Sequence, residues 1–161
     1  MKIIFEKIHP NAILPTRAHE TDAGMDFYTY QRVEIRPKSA ALVETGLRCQ
    51  FEREDVFMFI KEKSGLATKK GITVGAGIID NGYRGEIKIL LYNWSNFPVI
   101  LTPGSKIAQG IILPVIYPII EEGKVDMNTS RGEGGFGHTG DTIDTDKITA
   151  TTSSRRSSKA E

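Results

Sequence analysis

The feature that most limits how this chain can fold is a series of short, β-rich segments with no helical period between them. Segments 3–8, 25–30, 33–36, 40–47, 56–61, 86–94 and 97–101 are rich in β-branched and aromatic side chains, which suit a pleated, half-buried surface. Asn11, Pro15, Pro37, Gly46, Asn96, Pro98 and the Pro103-Gly104 pair punctuate them. No window sustains a 3.6-residue apolar period, and that argues against long amphipathic helices. The one helix expected is a turn or two over 64–70, with Ser64 placed to cap its exposed N–H groups. The pattern predicts an all-β antiparallel sandwich or barrel.

Length and charge narrow the choice. A chain of 161 residues reads as one domain that buries roughly two thirds of its unfolded surface. A net charge of +1 gives no general reason to expect a nucleic acid or membrane partner. Cys49 is the only cysteine, so disulfide frameworks and thiolate metal clusters are excluded. The opening apolar run returns to charge at Glu6 and Lys7, too soon for a signal peptide; the expected location is intracellular and cytoplasmic, with a nuclear one open in a eukaryotic host.

Residues 107–120 are the most apolar stretch, broken by Pro114 and Pro118, and so cannot be a membrane helix, which needs about 20 uninterrupted apolar residues. A central strand is expected there, with a subunit interface covering what one chain cannot bury. From Glu121 onward the composition changes. Residues 131–140 are half glycine, and 141–161 are rich in Ser, Thr and charge, a composition that cannot bury enough apolar surface to order itself. The expected organisation is a core at 1–127, a glycine-rich arm at 128–140 and a disordered tail at 141–161.

The stretch 74–86, Val-Gly-Ala-Gly-Ile-Ile-Asp-Asn-Gly-Tyr-Arg-Gly-Glu, concentrates the functional signals. Asn81-Gly82 is a strong two-residue hairpin signal between strand-like flanks, and would set Asp80 and Tyr83 side by side at the hairpin mouth. Gly75 and Gly77 lack side chains, so backbone groups there are open to a planar ligand. Other features carry little alone. Gly132 to Gly137 satisfies a dinucleotide-binding pattern without the strand and helix that motif needs. His9, His19 and His138 lack metal-ligand spacing. Trp94, at a strand end, is expected in the core, and an Asp before Asn-Gly is by itself a turn initiator.

Taken together, the motifs Ala23-Gly-Met-Asp26, Lys63-Ser-Gly-Leu-Ala67, Gly75 to Gly85, Gly104-Ser-Lys-Ile-Ala-Gln109 and Arg131 to Gly140 stand in the order and spacing of the five motifs of the trimeric dUTPases. The resemblance covers about residues 1–140. It implies a jelly-roll-like all-β subunit with one short helix, in a homotrimer whose active sites are shared between subunits. It also implies hydrolysis of dUTP to dUMP and pyrophosphate with magnesium, which limits uracil incorporation into DNA and supplies dUMP for dTMP synthesis.

By the same resemblance, Asp80 activates the water that attacks the α-phosphorus, Tyr83 lays its ring on the deoxyribose, and the backbone of Gly77 and Ile78 binds the uracil edge. Lys63, Ser64, Gly65 and Gln109 are implied phosphate contacts, and Asp26 the acid that holds magnesium through water. Arg131 would meet the γ-phosphate, Phe136 would stack on uracil, and Gly137, His138 and Thr139 would complete the lid. Lys63 stands where the family usually has Arg; it keeps the charge and loses the planar fork, so phosphate positioning is expected to be looser. A dCTP deaminase, which shares the fold, fits Ile-Asp-Asn-Gly-Tyr less well, and a nucleotide-binding protein without catalysis is the other reading.

Overall fold

The structure is a computed structural model that describes residues 1–135 of the chain. Among the described residues, eleven strands follow one another along the sequence, with one short helix between the sixth and the seventh. They are β1 (Ile3–Lys7), β2 (Met25–Tyr28), β3 (Val33–Ile35), β4 (Ser39–Glu44), β5 (Leu47–Phe51), β6 (Val56–Lys61), α1 (Ser64–Lys70), β7 (Ile72–Gly75), β8 (Ile78–Ile79), β9 (Lys88–Asn93), β10 (Val99–Leu101) and β11 (Lys106–Pro114). Two compact units divide the chain, Met1–Pro118 and Ile119–Glu161.

All strand pairings are antiparallel. The largest sheet runs β2-β11-β6-β8, a second runs β4-β9-β7, and β1-β5 and β10-β3 form two-stranded ribbons. Strand β6 shows why the sequence folds this way. Val56, Met58 and Ile60 are buried, while Phe57, Phe59 and Lys61 on the other face are half-covered, the period-2 alternation of a sheet with one face on the core. In β9, Ile89 and Leu91 do the same from the second sheet, and both sheets contribute to one cluster that also holds Phe27, Leu47 and Ile107. This is the jelly-roll-like all-β arrangement expected from the sequence.

Four readings change in detail. Strand β11 stops at Pro114; Val115 stays tied by its N–H to the Asp55 carbonyl at 2.9 Å, and Tyr117 by its hydroxyl to the Glu54 carbonyl at 3.1 Å. The segment 40–47 splits into β4 and β5 at Gly46, whose φ of 67° lies in the left-handed region. The N-cap of α1 is Lys63, not Ser64, and no side chain caps it; the Lys63 carbonyl already accepts from the N–H groups of Leu66 and Ala67, each at 3.0 Å, which places Ser64 inside the helix. Trp94 is 59% exposed, its indole N–H spent on the Thr73 hydroxyl at 2.7 Å. No helix among the described residues is long and apolar enough to cross a membrane.

Candidate active site

Asp80 follows β8, and the local fold is not the hairpin read from Asn81-Gly82. β8 pairs with β6, through Met58↔Ile79 and Phe59↔Ile78, and β9 pairs with β4 and β7. Asp80 to Tyr83 is nonetheless a turn, closed by the Tyr83 N–H on the Asp80 carbonyl at 3.1 Å. Neither Asn81 nor Gly82 is among the positive-φ residues, so the turn is not one of the primed types that join paired strands. The Asn81 side chain is used differently: Nδ2 donates to the carbonyls of Arg53 at 2.7 Å and Val56 at 3.0 Å, clamping the turn to the entry of β6. Arg84 braces the other side, donating to the carbonyls of Asn81 at 2.7 Å and Tyr83 at 3.0 Å. Asp80 itself is exposed, at the lip of a cleft of about 430 Å³ walled by Phe57, Ile78, Val115 and Tyr117.

The glycines beside it have specific neighbours. A Cβ on Gly77 would lie 2.5 Å from the Ile60 carbonyl, and the Gly77 carbonyl accepts from the Ile60 N–H at 2.7 Å; a Cβ on Gly75 would strike the Tyr92 ring. Close packing against neighbouring strands, rather than openness to a ligand, is what requires glycine at both positions. The ring of Tyr83 lies over Gly85 where a Cβ would otherwise sit, and its hydroxyl donates to the Glu86 carbonyl at 3.0 Å. Tyr83 as a whole is 45% exposed.

A second group of site residues lies on the same sheet. In register, Asp26 stands beside Gln109, and Gln109 beside Lys61. Gln109 Nε2 donates to the Glu62 carbonyl at 3.0 Å, and only the absence of a side chain at Gly24 leaves room for the Gln109 amide. Asp26 is 6% exposed and carries two ammonium partners, Lys63 on Oδ1 and Lys106 on Oδ2 at 2.7 Å. Burial pulls its pKa upward, but the hydrogen bonds and charges of Lys106 and Lys63 outweigh this and hold the carboxyl below its ordinary value. Ser64 and Gly65 are exposed at the start of α1, where backbone N–H groups have no intrahelical acceptor, and nothing stands within 4 Å of a Cβ built on Gly65.

The two groups do not meet within one chain. Continuing the β6–β8 ladder by one step puts Asp80 opposite Phe57, while Gln109 is opposite Lys61. Four residues at ~3.3 Å and two strand spacings at ~4.8 Å separate them by roughly 16 Å along the sheet.

The chemistry of the donors limits metal binding. No group of three or more His, Cys, Asp or Glu side chains among the described residues could hold an ion, and both oxygens of Asp26 are already paired. One carboxylate fits magnesium that arrives on phosphates and keeps its waters; it does not make a resident metal site. Cys49 is chemically quiet, because burial pushes its thiol up to about 11.

In the second unit, Arg131 closes a small turn on itself. Its Nε donates to the Gly134 carbonyl at 2.9 Å and its carbonyl accepts from the Gly134 N–H at 3.0 Å. Phe136, Gly137, His138 and Thr139 lie outside the described residues. Sequence reading did not find Lys106, Arg84 or the cleft wall of Phe57 and Tyr117. Lys106 lies inside the motif that ends at Gln109 with nothing local to mark it, Arg84 stands four residues after Asp80 as an ordinary turn-flanking charge, and Phe57 and Tyr117 are distant from Asp80 in sequence.

A model of the dUTPase family matches residues 10–140. The deoxyuridine 5'-triphosphate nucleotidohydrolase of Clostridium novyi (strain NT) is 43% identical over 142 residues, spanning 87% of this chain and 99% of its own length. That of Avian adenovirus 8 (strain ATCC A-2A) is 41% identical over 140 residues, spanning 87% and 85%. Among solved structures, a Staphylococcus bacteriophage 80alpha dUTPase with dUpNHpp superposes with a TM-score of 0.80 at 24% identity, covering 86% of this chain and 98% of that one. A dUTPase from phage phi11 of S. aureus, studied for a structural Mg(II) ion, gives 0.73 at 22% identity, with 78% and 99% covered. The structural likenesses concern the fold; with the family match and the identity to the curated relatives, they lead to one conclusion, that this chain belongs to the dUTPase family.

Proposed function

We propose that the protein hydrolyses dUTP to dUMP and pyrophosphate, with Asp80 as the general base. One observation carries the assignment of Asp80: in a chain of this family, the carboxylate is exposed at the lip of an apolar cleft on a turn anchored from both sides, by Asn81 and by Arg84. A carboxylate so fixed can take a proton from water while neighbouring groups hold the α-phosphorus in line.

The remaining roles follow the motifs. The Tyr83 ring covers the deoxyribose and selects against a 2′-hydroxyl by bulk, and the backbone of Gly77 and Ile78 holds the uracil edge. Gln109 meets the α-phosphate; Lys63, Ser64 and Gly65 meet the phosphates beyond it. Arg131 reaches the γ-phosphate, Phe136 stacks on uracil, and Gly137, His138 and Thr139 close the arm, 128–140, over the nucleotide. Asp26 is the residue that would hold magnesium through water, and the ion's charge on the phosphate oxygens is what it supplies there.

The working form is a homotrimer with each site shared between subunits. Two observations support it. Asp80 and Gln109, which must flank one α-phosphorus, are roughly 16 Å apart within a chain by strand spacing, so a second copy has to bring one to the other. The outer face of β6 and β11 and the segment after it also leave Leu113, Ile116, Ile119 and Ile120 exposed, the last three at 88–93%, where a subunit contact would cover them. The dUTP substrate places the protein in the nucleotide pool of the cell interior.

The test is incubation of the purified protein with dUTP, dCTP, dTTP and UTP plus magnesium. Pyrophosphate from dUTP alone supports the assignment; ammonia from dCTP, or no reaction with any of them, sinks it. Asp80→Asn should still bind dUTP and lose about 1000-fold or more in kcat, in the range for loss of a general base; substantial residual hydrolysis would remove Asp80 from its role.

A further inference from the structure

Lys106 has no part in the mechanism above, yet the chain deforms to place it. In an unbroken strand, residues three apart point to opposite faces, so Lys106 and Gln109 should be separated by the sheet. The β11–β2 register shifts between them: Lys106 pairs with Tyr28, Ala108 with Phe27 and Gln109 with Asp26. Ile107 is the extra residue, and it and Ala108 are both fully buried. The bulge turns Lys106 onto the face that carries Asp26 and Gln109, a re-aiming that bulges perform beside sites. There Lys106 joins Lys63 on a single buried carboxylate. One cation would balance Asp26; the second leaves the trio with an excess positive charge.

From this geometry we infer that Lys106 is a positioning residue that keeps Asp26 neutralised, so that Lys63 is free to leave it for the β- and γ-phosphates of the nucleotide. The inference rests on the dUTPase reading of the site. The division of labour between the lysines follows from where each is held. The Lys106 backbone is held in β11 by its pairing with Tyr28 beside the bulge, whereas Lys63 is the N-cap of α1, directly before the exposed Ser64 and Gly65. If Lys63 alone held Asp26, its departure would strand a buried carboxylate without a partner, which is strongly unfavourable. With Lys106 in place the departure leaves an ion pair intact.

The experiment measures equilibrium binding to the full-length protein in EDTA, so that no metal contributes, of two ligands: dUpNHpp, which carries all the phosphates, and dUMP, which carries only the first. Lys106→Met should weaken dUpNHpp by about tenfold while dUMP stays within about twofold. Lys106→Arg should restore binding, and so should the double variant Asp26→Asn with Lys106→Met, in which Lys63 has no carboxylate to hold it. Lys106→Gln is carried in parallel in case the Met variant does not fold. Unchanged dUpNHpp affinity, an equal loss for both ligands, or a double variant no better than Lys106→Met would overturn the proposal. If the wild-type protein bound neither nucleotide and also released no pyrophosphate from dUTP with magnesium, the dUTPase reading would fall instead, and the proposal with it.

Discussion

Ala76 sits at φ 49°, between β7 and β8, where a side chain costs about 1–2 kcal/mol relative to glycine. Part of that is recovered in the unfolded chain, which glycine makes more flexible. Ala76→Gly should therefore stabilise the protein by about 0.5–1 kcal/mol, read as a higher urea midpoint with an unchanged slope; a lower midpoint would mean that the methyl group packs against something that matters. Asp26 behaves differently because its effect is electrostatic. Its pKa is depressed in the fold, so its contribution is fully present above the unfolded value of about 3.9 and is lost as pH falls through the lower folded value. Asp26→Asn should cost about 1–3 kcal/mol at pH 7, and the gap from wild type should close in urea titrations as pH drops below about 4. A gap of the same size at low pH would show that the fold uses the shape of Asp26 and not its charge.

At the level of elements, the turn from Asp80 to Tyr83 owes its position to side chains more than to its own backbone. Asn81 ties it to two carbonyls at the start of β6, so the turn belongs to the β2-β11-β6-β8 sheet rather than to a hairpin of its own. Asn81→Ala should lower stability by about 1–2 kcal/mol and, by loosening the base, cut kcat by about tenfold or more. Denaturation together with steady-state kinetics checks both; a stability loss with unchanged kcat would leave Arg84 as the sufficient brace. The bulge in β11 is the second device at this level. By adding one residue it satisfies two demands that a regular strand cannot meet together, apolar Ile107 and Ala108 inward and both Lys106 and Gln109 on the site face.

For the whole molecule the question is which parts fold alone and which are needed for turnover. The core cluster is built entirely from residues up to Ala108, with Ile112 packed against it. Truncation after Met127 should accordingly leave a folded protein, with a cooperative thermal transition and the same oligomeric state as wild type in light scattering, while hydrolysis falls by about 100-fold or more if Arg131 and Phe136 have the roles proposed for them. Truncation after Gly140 should leave turnover intact. Loss of turnover on the second cut would give the segment 141–161 a function of its own.

Much of this protein was legible without coordinates. Residue preference and turn chemistry are local properties, so most strands, the all-β class and a short helix over 64–70 could be read from β-branched and aromatic runs between turn residues, and the ordered motifs pointed to the family. Other features depended on partners distant in sequence. Asn81-Gly82 reads as a hairpin in any local window, and only the competition of β6 for β8 decided otherwise. Trp94 reads as core until Thr73 is seen to take its N–H at the surface. Lys106 is an ordinary charged residue until a bulge turns it toward Asp26. Sequence spacing determined which residues could serve the site; side-chain direction, which reverses with each residue added to or removed from a strand, was decided only by the packing of strands far apart in the chain.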